Sequence, residues 1–248
     1  MTRHVLISGG GSGVGATLAR TFASAGDNVT ILGRRLAPLQ SVATEIGGLA
    51  IQCDVTDRAA IDAAIETASK AYGCPSIVIA NASTTPSAPF DETSTEDFDQ
   101  TFAVNVGGTF HLWQAALPRL KANGQGRLIA IASTAGLKGY PYVAPYCAAK
   151  HAVIGLVRAL ARELAPTFIT VNAICPGFVE MPMAAKQPEF VVEGHKAPDK
   201  NMRGTLADEN PQSRFISMEE VAAAATYLAS DVAAAVNGHT LTLSGGEV

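Results

Sequence analysis

The sequence predicts a doubly wound α/β fold, and three observations carry that prediction. Short β-branched runs alternate with alanine-rich segments of helical period along all 248 residues. Such alternation is the mark of strand–helix–strand units and a parallel sheet. Most of the runs are apolar at every position, as strands are when helices cover both faces. Finally, the glycine-rich stretch "SGGGSGVG" joins the first run to the first helical segment. A turn of that kind between a strand and a helix suits a phosphate.

Taken in order, the strands are "HVLIS" (4–8), "NVTIL" (28–32), "LAIQC" (49–53), "SIVIA" (76–80), "RLIAIAS" (127–133), "FITVNAI" (168–174) and "HTLTL" (239–243). Helical patterns fill the gaps at 13–25, 35–46, 57–71, 95–121, 145–164 and 217–229. No composition shift divides the chain, so residues 1–248 read as one domain. The stretch 182–214, rich in Pro, Lys and Glu, is long and irregular. Loops of that length are usually lids or binding loops.

Composition narrows the function. Apolar residues make up 48% of the chain and charged residues 16%, which supports a packed core rather than disorder. A net charge of −4 argues against nucleic acid or an anionic membrane as partner. No apolar run reaches the ~20 residues that span a bilayer, and "MTRHVLIS" lacks a signal-peptide layout. Cys53, Cys74, Cys147 and Cys175 form no CxxC pair, the five histidines are scattered, and no metal site is expected. These features point to a soluble, cytoplasmic protein.

Ligands of open α/β sheets bind at the carboxyl ends of the strands. After the first strand, Gly9, Gly13 and Gly15, with Gly11, Ser12 and Val14 between them, form a candidate dinucleotide turn. After the second come Arg34 and Arg35, where an acidic residue would bind the ribose 2′-hydroxyl of NAD. Arginine there suits a 2′-phosphate; two solvated arginines opening a helix is the plainer reading. Asp54 and Val55 follow the third strand. Asp54 could accept from an adenine amino group or cap the helix starting near Asp57. Asn81 and Ala82 follow the fourth strand, Ser133 closes the fifth, and Pro176 and Gly177 follow the sixth. Tyr146 and Lys150, in "PYCAAKH", lie one helical turn apart on one face. That spacing also occurs by accident on ordinary helices, so its case rests on Ser133 lying within the same strand–loop–helix unit.

This constellation resembles the short-chain dehydrogenase/reductase family. The resemblance runs from "GGGSGVG" through "NAS", "VNVGGTF", "IAST", "YCAAK" and "CPGFVEMPM" to "LSGG", and is greatest to ketoreductases of β-ketoacyl thioesters and polyketides. It implies a Rossmann-type parallel sheet of seven strands in the order 3-2-1-4-5-6-7. It also implies hydride transfer between a nicotinamide cofactor, NADP(H) or alternatively NAD(H), and a carbonyl or secondary alcohol, which could be linked to CoA or acyl carrier protein. Tyr146 would then be the proton donor or acceptor, and Lys150 would hold the nicotinamide ribose and favour the phenolate. Ser133 would bind the substrate oxygen, and Asn105 would serve a proton relay. Val179 joins Pro176 and Gly177 at the cofactor, while Tyr140, Tyr142, Phe178 and Met183 would line the substrate pocket. A homotetramer is implied as well. Three positions depart from the family pattern: Ser83 stands for a glycine, Met181 for a threonine, and Ser12 for a basic residue carried by some NADP-dependent members. The alternative substrate is a free cyclic or aromatic alcohol or ketone, and a more remote reading is a non-catalytic dinucleotide-binding sensor; a nucleotide-sugar epimerase or dehydratase is disfavoured, since those relatives usually have a GxxGxxG turn and this chain has GxxxGxG.

Overall fold

A computed structural model describes residues 2–180, 207 and 209–248, together with the backbone of β7 (Val191–Val192) and β8 (His195–Lys196), which pair antiparallel. Met181, Met183 and the greater part of the 182–214 stretch lie outside the described residues. Seven strands form the main sheet: β1 (His4–Ser8), β2 (Asn28–Gly33), β3 (Leu49–Gln52), β4 (Ile77–Ala80), β5 (Gln125–Ile131), β6 (Phe168–Pro176) and β9 (Thr240–Leu243). All pairings in it are parallel and the order is β3-β2-β1-β4-β5-β6-β9. This is the Rossmann-like order expected, with β9 as the seventh strand of the sheet.

The all-apolar strands explain the two-sided covering. Side chains alternate between faces along a strand, and here both faces are used. Leu6, Leu32, Val78, Leu128 and Val171 pack on one side with Ile61 and Ile65 of α3 (Arg58–Tyr72). Leu112 and Trp113 of α5 (Gly108–Asn123) and Val153 and Val157 of α6 (Ala144–Leu164) complete that layer. Val5, Ile7, Ile31, Ile79, Ile129 and Ile174 face the other way. They meet Leu18 and Phe22 of α1 (Gly13–Ser24), Leu39 and Val42 of α2 (Leu36–Ile46), and Val221 and Leu228 of α7 (Met218–Leu228). Burying each such aliphatic side chain contributes about 1.5–3 kcal/mol.

The chain leaves β1 in one direction to β2 and β3, then returns to β4 on the other side of β1. This reversal opens a crevice between the carboxyl ends of β1 and β4. The helix predicted over 95–121 follows one path but is not uniform. It consists of α4 (Thr95–Phe102), a π-helical segment at Ala103–Gly107, and α5. One turn is widened there, and π-helical segments often mark functional sites. Strand β5 begins and ends two residues earlier than the predicted 127–133, because Ser133 turns away to open a 3₁₀ turn at Thr134–Gly136.

His4 is a buried base at the opposite end of β1, 2% exposed. Its Nδ1 donates to the Gly73 carbonyl at 2.7 Å, so in the neutral ring Nε2 accepts from the Thr30 hydroxyl at 2.9 Å. Burial pushes its pKa down, against an opposing contribution from the Gly73 carbonyl. The folded-state value therefore lies below the unfolded one of ~6.5. Its stabilising contribution is complete above that pH and is lost as pH falls, because the unfolded chain then takes up a proton that the fold resists. The thermal midpoint should drop between pH 7 and pH 5, and His4→Gln should flatten the drop. A histidine-independent profile in thermal unfolding would contradict this.

Candidate active site

A groove of about 430 Å³ follows the carboxyl ends of the central strands. Gly9, Gly11, Ser12, Gly13, Val14 and Gly15 line its floor beside the start of α1. Arg34, Arg35, Asp54 and Val55 border one end, and Asn81 and Ala82 the middle. Ser133, Tyr146, Lys150, Pro176, Gly177 and Val179 form the other end. Every residue that the sequence assigned to a dinucleotide thus borders one continuous groove.

Local structure explains why this groove fits a dinucleotide. Helices α3, α4 and α7 begin at side-chain caps, Asp57, Ser94 and Ser217. Helices α1 and α2, whose first residues border the groove, begin at Ser12 and Arg35 with no side-chain cap and no acidic residue in the first turn. Their leading N–H groups and positive dipole ends are left for an anion. The glycine loop is braced from β4: Asn81 Nδ2 donates to the carbonyls of Ser8 and Gly9 at 3.0 and 3.2 Å. The Ser8 hydroxyl accepts from the amides of Asn81 and Ala82 at 3.0 and 3.1 Å. A Cβ at Gly15 would stand 2.2 Å from the Gly9 carbonyl oxygen, so only glycine lets α1 approach the loop this closely.

Arg34 and Arg35 are exposed and form no ion pair with a described residue. The Arg34 carbonyl accepts from Gln52 Nε2 at 2.9 Å, which ties the loop after β2 to β3. Asp57 is the cap of α3, accepting from Ala59 and Ala60. Asp54 instead accepts from the Thr56 amide and hydroxyl through Oδ1, at 3.0 and 2.8 Å. Of the two readings left open for Asp54, capping α3 is thereby excluded.

At the far end of the groove, Lys150 is 3% exposed, and its Nζ donates to the Ile131 carbonyl at 3.0 Å. The same Nζ lies 5.3 Å from the centre of the Tyr146 ring. Ser133 accepts from the Ala135 amide at 3.1 Å, the plain turn role, which leaves its own proton free to donate into the groove. Asn105 lies behind this end, in the π-helical segment, and does not border the groove. Its Nδ2 donates to the carbonyls of Thr84 and Thr101, both at 2.9 Å, and its Oδ1 accepts from Ser83 at 2.7 Å. The local bond to Thr101 expected of a mid-helix asparagine is present, joined by two contacts to the loop after β4. Ser83, where the family has glycine, makes one of them.

Tyr140, Tyr142 and Phe178 lie beyond the groove lining. The Tyr140 ring meets Phe178 edge-on, with centroids 5.7 Å apart. Tyr142 adopts a φ of 64°, a costly left-handed backbone for a tyrosine, and its carbonyl accepts from the Ala88 amide at 2.9 Å. Pro38, Leu39, Ser83, Val104, Ile131 and Ala132 also border the groove, although nothing in the sequence assigned them to it. Pro38 and Leu39 carry a usable signal, since they fall in the first turn of α2 beside the two arginines. Val104 and Ile131 look like ordinary core residues in the sequence and carry none.

A family model described as enoyl-(acyl carrier protein) reductase matches residues 9–247. The chain belongs to the short-chain dehydrogenase/reductase family. Similarity to other members extends over nearly the whole length. It is 34% identical to the D-beta-hydroxybutyrate dehydrogenase of Rhizobium meliloti (strain 1021), covering 99% of this chain and 98% of that protein. A structure of an actinorhodin polyketide ketoreductase variant with NADPH superposes with a TM-score of 0.94 at 31% identity, covering 99% of this chain and 97% of that one. A 3-ketoacyl-(acyl-carrier-protein) reductase from Brucella melitensis, complexed with NADH, gives 0.89 at 32% identity, with 99% and 98% covered. As a member of this family the chain is an oxidoreductase of CH–OH groups that works with a nicotinamide dinucleotide. No described helix is long and apolar enough to cross a membrane.

The tight passage at Gly15 gives a direct test of the groove. Overpacking of this kind costs about 1–3 kcal/mol where neighbours can shift, and here the neighbour is backbone. Gly15→Ala should lower the thermal midpoint and also abolish the rise in midpoint that NADPH gives the wild type. An unchanged ligand-induced rise would show that the dinucleotide does not sit on this loop.

Proposed function

We propose that this short-chain dehydrogenase/reductase reduces a ketone with an apolar body, with NADPH preferred over NADH and a β-ketoacyl thioester as the leading substrate class. The observation that supports it most is the convergence of Ser133, Tyr146 and the buried ammonium of Lys150 at one end of a groove whose other end carries two exposed arginines. A nicotinamide held in this groove would supply the hydride for the carbonyl carbon. Ser133 donates its free proton to the carbonyl oxygen and holds the charge that develops there. Tyr146 delivers the proton that completes the alcohol and takes it back in oxidation. Lys150 stands beside the Tyr146 ring, placed to bind the nicotinamide ribose, while Ile131 fixes the ammonium in place. Asn105 holds the loop after β4 through Ser83 and Thr84, and so acts on the relay from behind.

Arg34 and Arg35 supply positive charge where a ribose-binding carboxylate would otherwise stand, and both, exposed and in no ion pair with a described residue, can meet a 2′-phosphate. Ser12, uncharged, leaves the preference to these two. The thioester class is supported by the likeness to the polyketide ketoreductase and the 3-ketoacyl reductase. A free hydroxy acid or its ketone is the second reading, supported by the likeness to the D-beta-hydroxybutyrate dehydrogenase. Cytoplasmic location and assembly as a homotetramer belong to this proposal. The exposed aromatic side chains Phe98, Phe110, Phe168 and Tyr227 offer apolar surface for assembly.

Two measurements follow. Replacing Arg34 and Arg35 with alanine should raise the KM for NADPH and barely affect NADH; a wild type with the higher kcat/KM for NADH would contradict the assignment. Compared at equal concentration, acetoacetyl-CoA and a longer β-ketoacyl thioester should outrun acetoacetate and bulky free ketones in kcat/KM. Faster turnover of acetoacetate would favour the hydroxy-acid reading, and faster turnover of small polar sugars would overturn the apolar pocket.

A further inference from the structure

The penultimate residue carries a buried carboxylate that the reaction does not use. The Glu247 side chain is only 3% exposed. The chain turns sharply before it, at Gly245 and Gly246, whose φ angles of 63° and 99° favour glycine. That turn sends the carboxylate back into the molecule, where it meets three elements of the substrate end of the site. Glu247 Oε1 pairs with Lys138 Nζ at 2.8 Å and accepts a short hydrogen bond from the Tyr140 hydroxyl. A Cβ at Gly177 would lie 3.1 Å from Oε2, so the carboxylate rests on the Pro176–Gly177 turn. Lys138 in turn lies 3.6 Å from Glu209, and its Nζ sits 4.7 Å over the Tyr140 ring.

The partners of Tyr140 carry this contact into the catalytic loop. Since the phenol gives its one proton to Glu247, the Thr134 hydroxyl must be the donor in their 2.6 Å contact. Thr134 directly follows Ser133. The Tyr140 amide donates to Cys147 Sγ at 3.4 Å. Tyr140 and Tyr146 both pack against one small apolar cluster of Ala135, Val143 and Cys147. A buried charge persists only when paired and hydrogen-bonded, and here the pairing groups are the loop itself.

We propose that Glu247 is a positioning residue: it clamps the 134–147 loop, through Tyr140 and Lys138, onto the Gly177 turn, and thereby fixes Ser133 and Tyr146 relative to the substrate. This deepens the ketone-reductase reading and rests on it for the catalytic consequence. The clamp itself is a statement about the loop and is tested separately.

The experiment uses the full chain and the variants Glu247→Ala, Glu247→Gln, Tyr140→Phe and the Glu247→Ala/Tyr140→Phe double. Hydrogen–deuterium exchange reads the loop, NADPH fluorescence titration reads cofactor affinity, and steady-state kinetics with the best ketone read the chemistry. Glu247→Ala should speed exchange in peptides covering 134–147 and lower kcat about tenfold, within the ~10²-fold that an ångström-scale displacement of a catalytic group costs. The Kd for NADPH should stay within about twofold. Glu247→Gln, whose amide oxygen still accepts from the phenol, should recover most of the rate. The double variant should be no worse than Glu247→Ala, because both act through one contact. Unchanged exchange at 134–147 overturns the clamp whether or not any ketone is turned over. A wild type inactive on every ketone fails the functional reading alone, and the exchange result still decides the clamp. Unchanged kcat in Glu247→Ala, or a loss of NADPH affinity in step with the loss of rate, overturns the positioning role.

Discussion

The site depends on one buried hydrogen bond, from the ammonium of Lys150 to the carbonyl of Ile131. A lysine almost wholly out of water must donate to something. Here it donates to the last residue of β5, which binds the first turns of α6 to the end of the sheet. Ser133 leaves β5 two residues later and Tyr146 stands one turn before Lys150. The bond therefore ties the strand end that leads to Ser133 to the helix that carries Tyr146, and fixes the place of the charge. Neighbouring elements reinforce the arrangement: residues 168–174 of β6 pair with the whole of β5, and Gly177 follows directly on the end of β6 at Pro176.

Positive groups stand at both ends of the groove, beside Asp54 at the arginine end, and they are of different kinds. At one end the positive potential comes from helix N-termini without caps and from exposed guanidinium groups. At the other it is a single desolvated ammonium. The first kind attracts and orients phosphate groups at modest cost, and salt screens it. The second acts at short range in a medium of lower dielectric, where a charge is felt more strongly. One groove thus carries both kinds of positive charge.

Much of this was legible in the sequence, for reasons that can be named. The strands declared themselves because both faces are covered, so that Val5, Leu6 and Ile7 are all apolar although they face alternate sides. The groove residues were found because an open parallel sheet places every strand's carboxyl end along one edge, and the sequence marks those ends with Gly9, Asn81, Ser133 and Gly177. The roles of Ser133, Tyr146 and Lys150 came from resemblance to a family, since spacing alone left an ordinary helix open. The π-helical segment was illegible, because one widened turn within 95–121 hardly disturbs a helical pattern of apolar residues. The bond from Ser83 to Asn105 was hidden for a different reason: it joins residues 22 apart whose types are common in loops and helices. Glu247 gave no signal, since a charged residue near a chain end reads as solvated, and its phenol partner lies 107 residues away.

The central claim is that Tyr146, held by Lys150, moves the proton of the reaction. The most direct measurement is the turnover of Tyr146→Phe alongside its affinity for NADPH. Removing one hydroxyl leaves the ring in contact with its neighbours and the groove unaltered. The account predicts that kcat falls by ~10²–10⁴-fold, the usual contribution of a general acid or base, while NADPH fluorescence titration is nearly unchanged. A variant that keeps near-wild-type kcat would contradict it and move the proton transfer to another group.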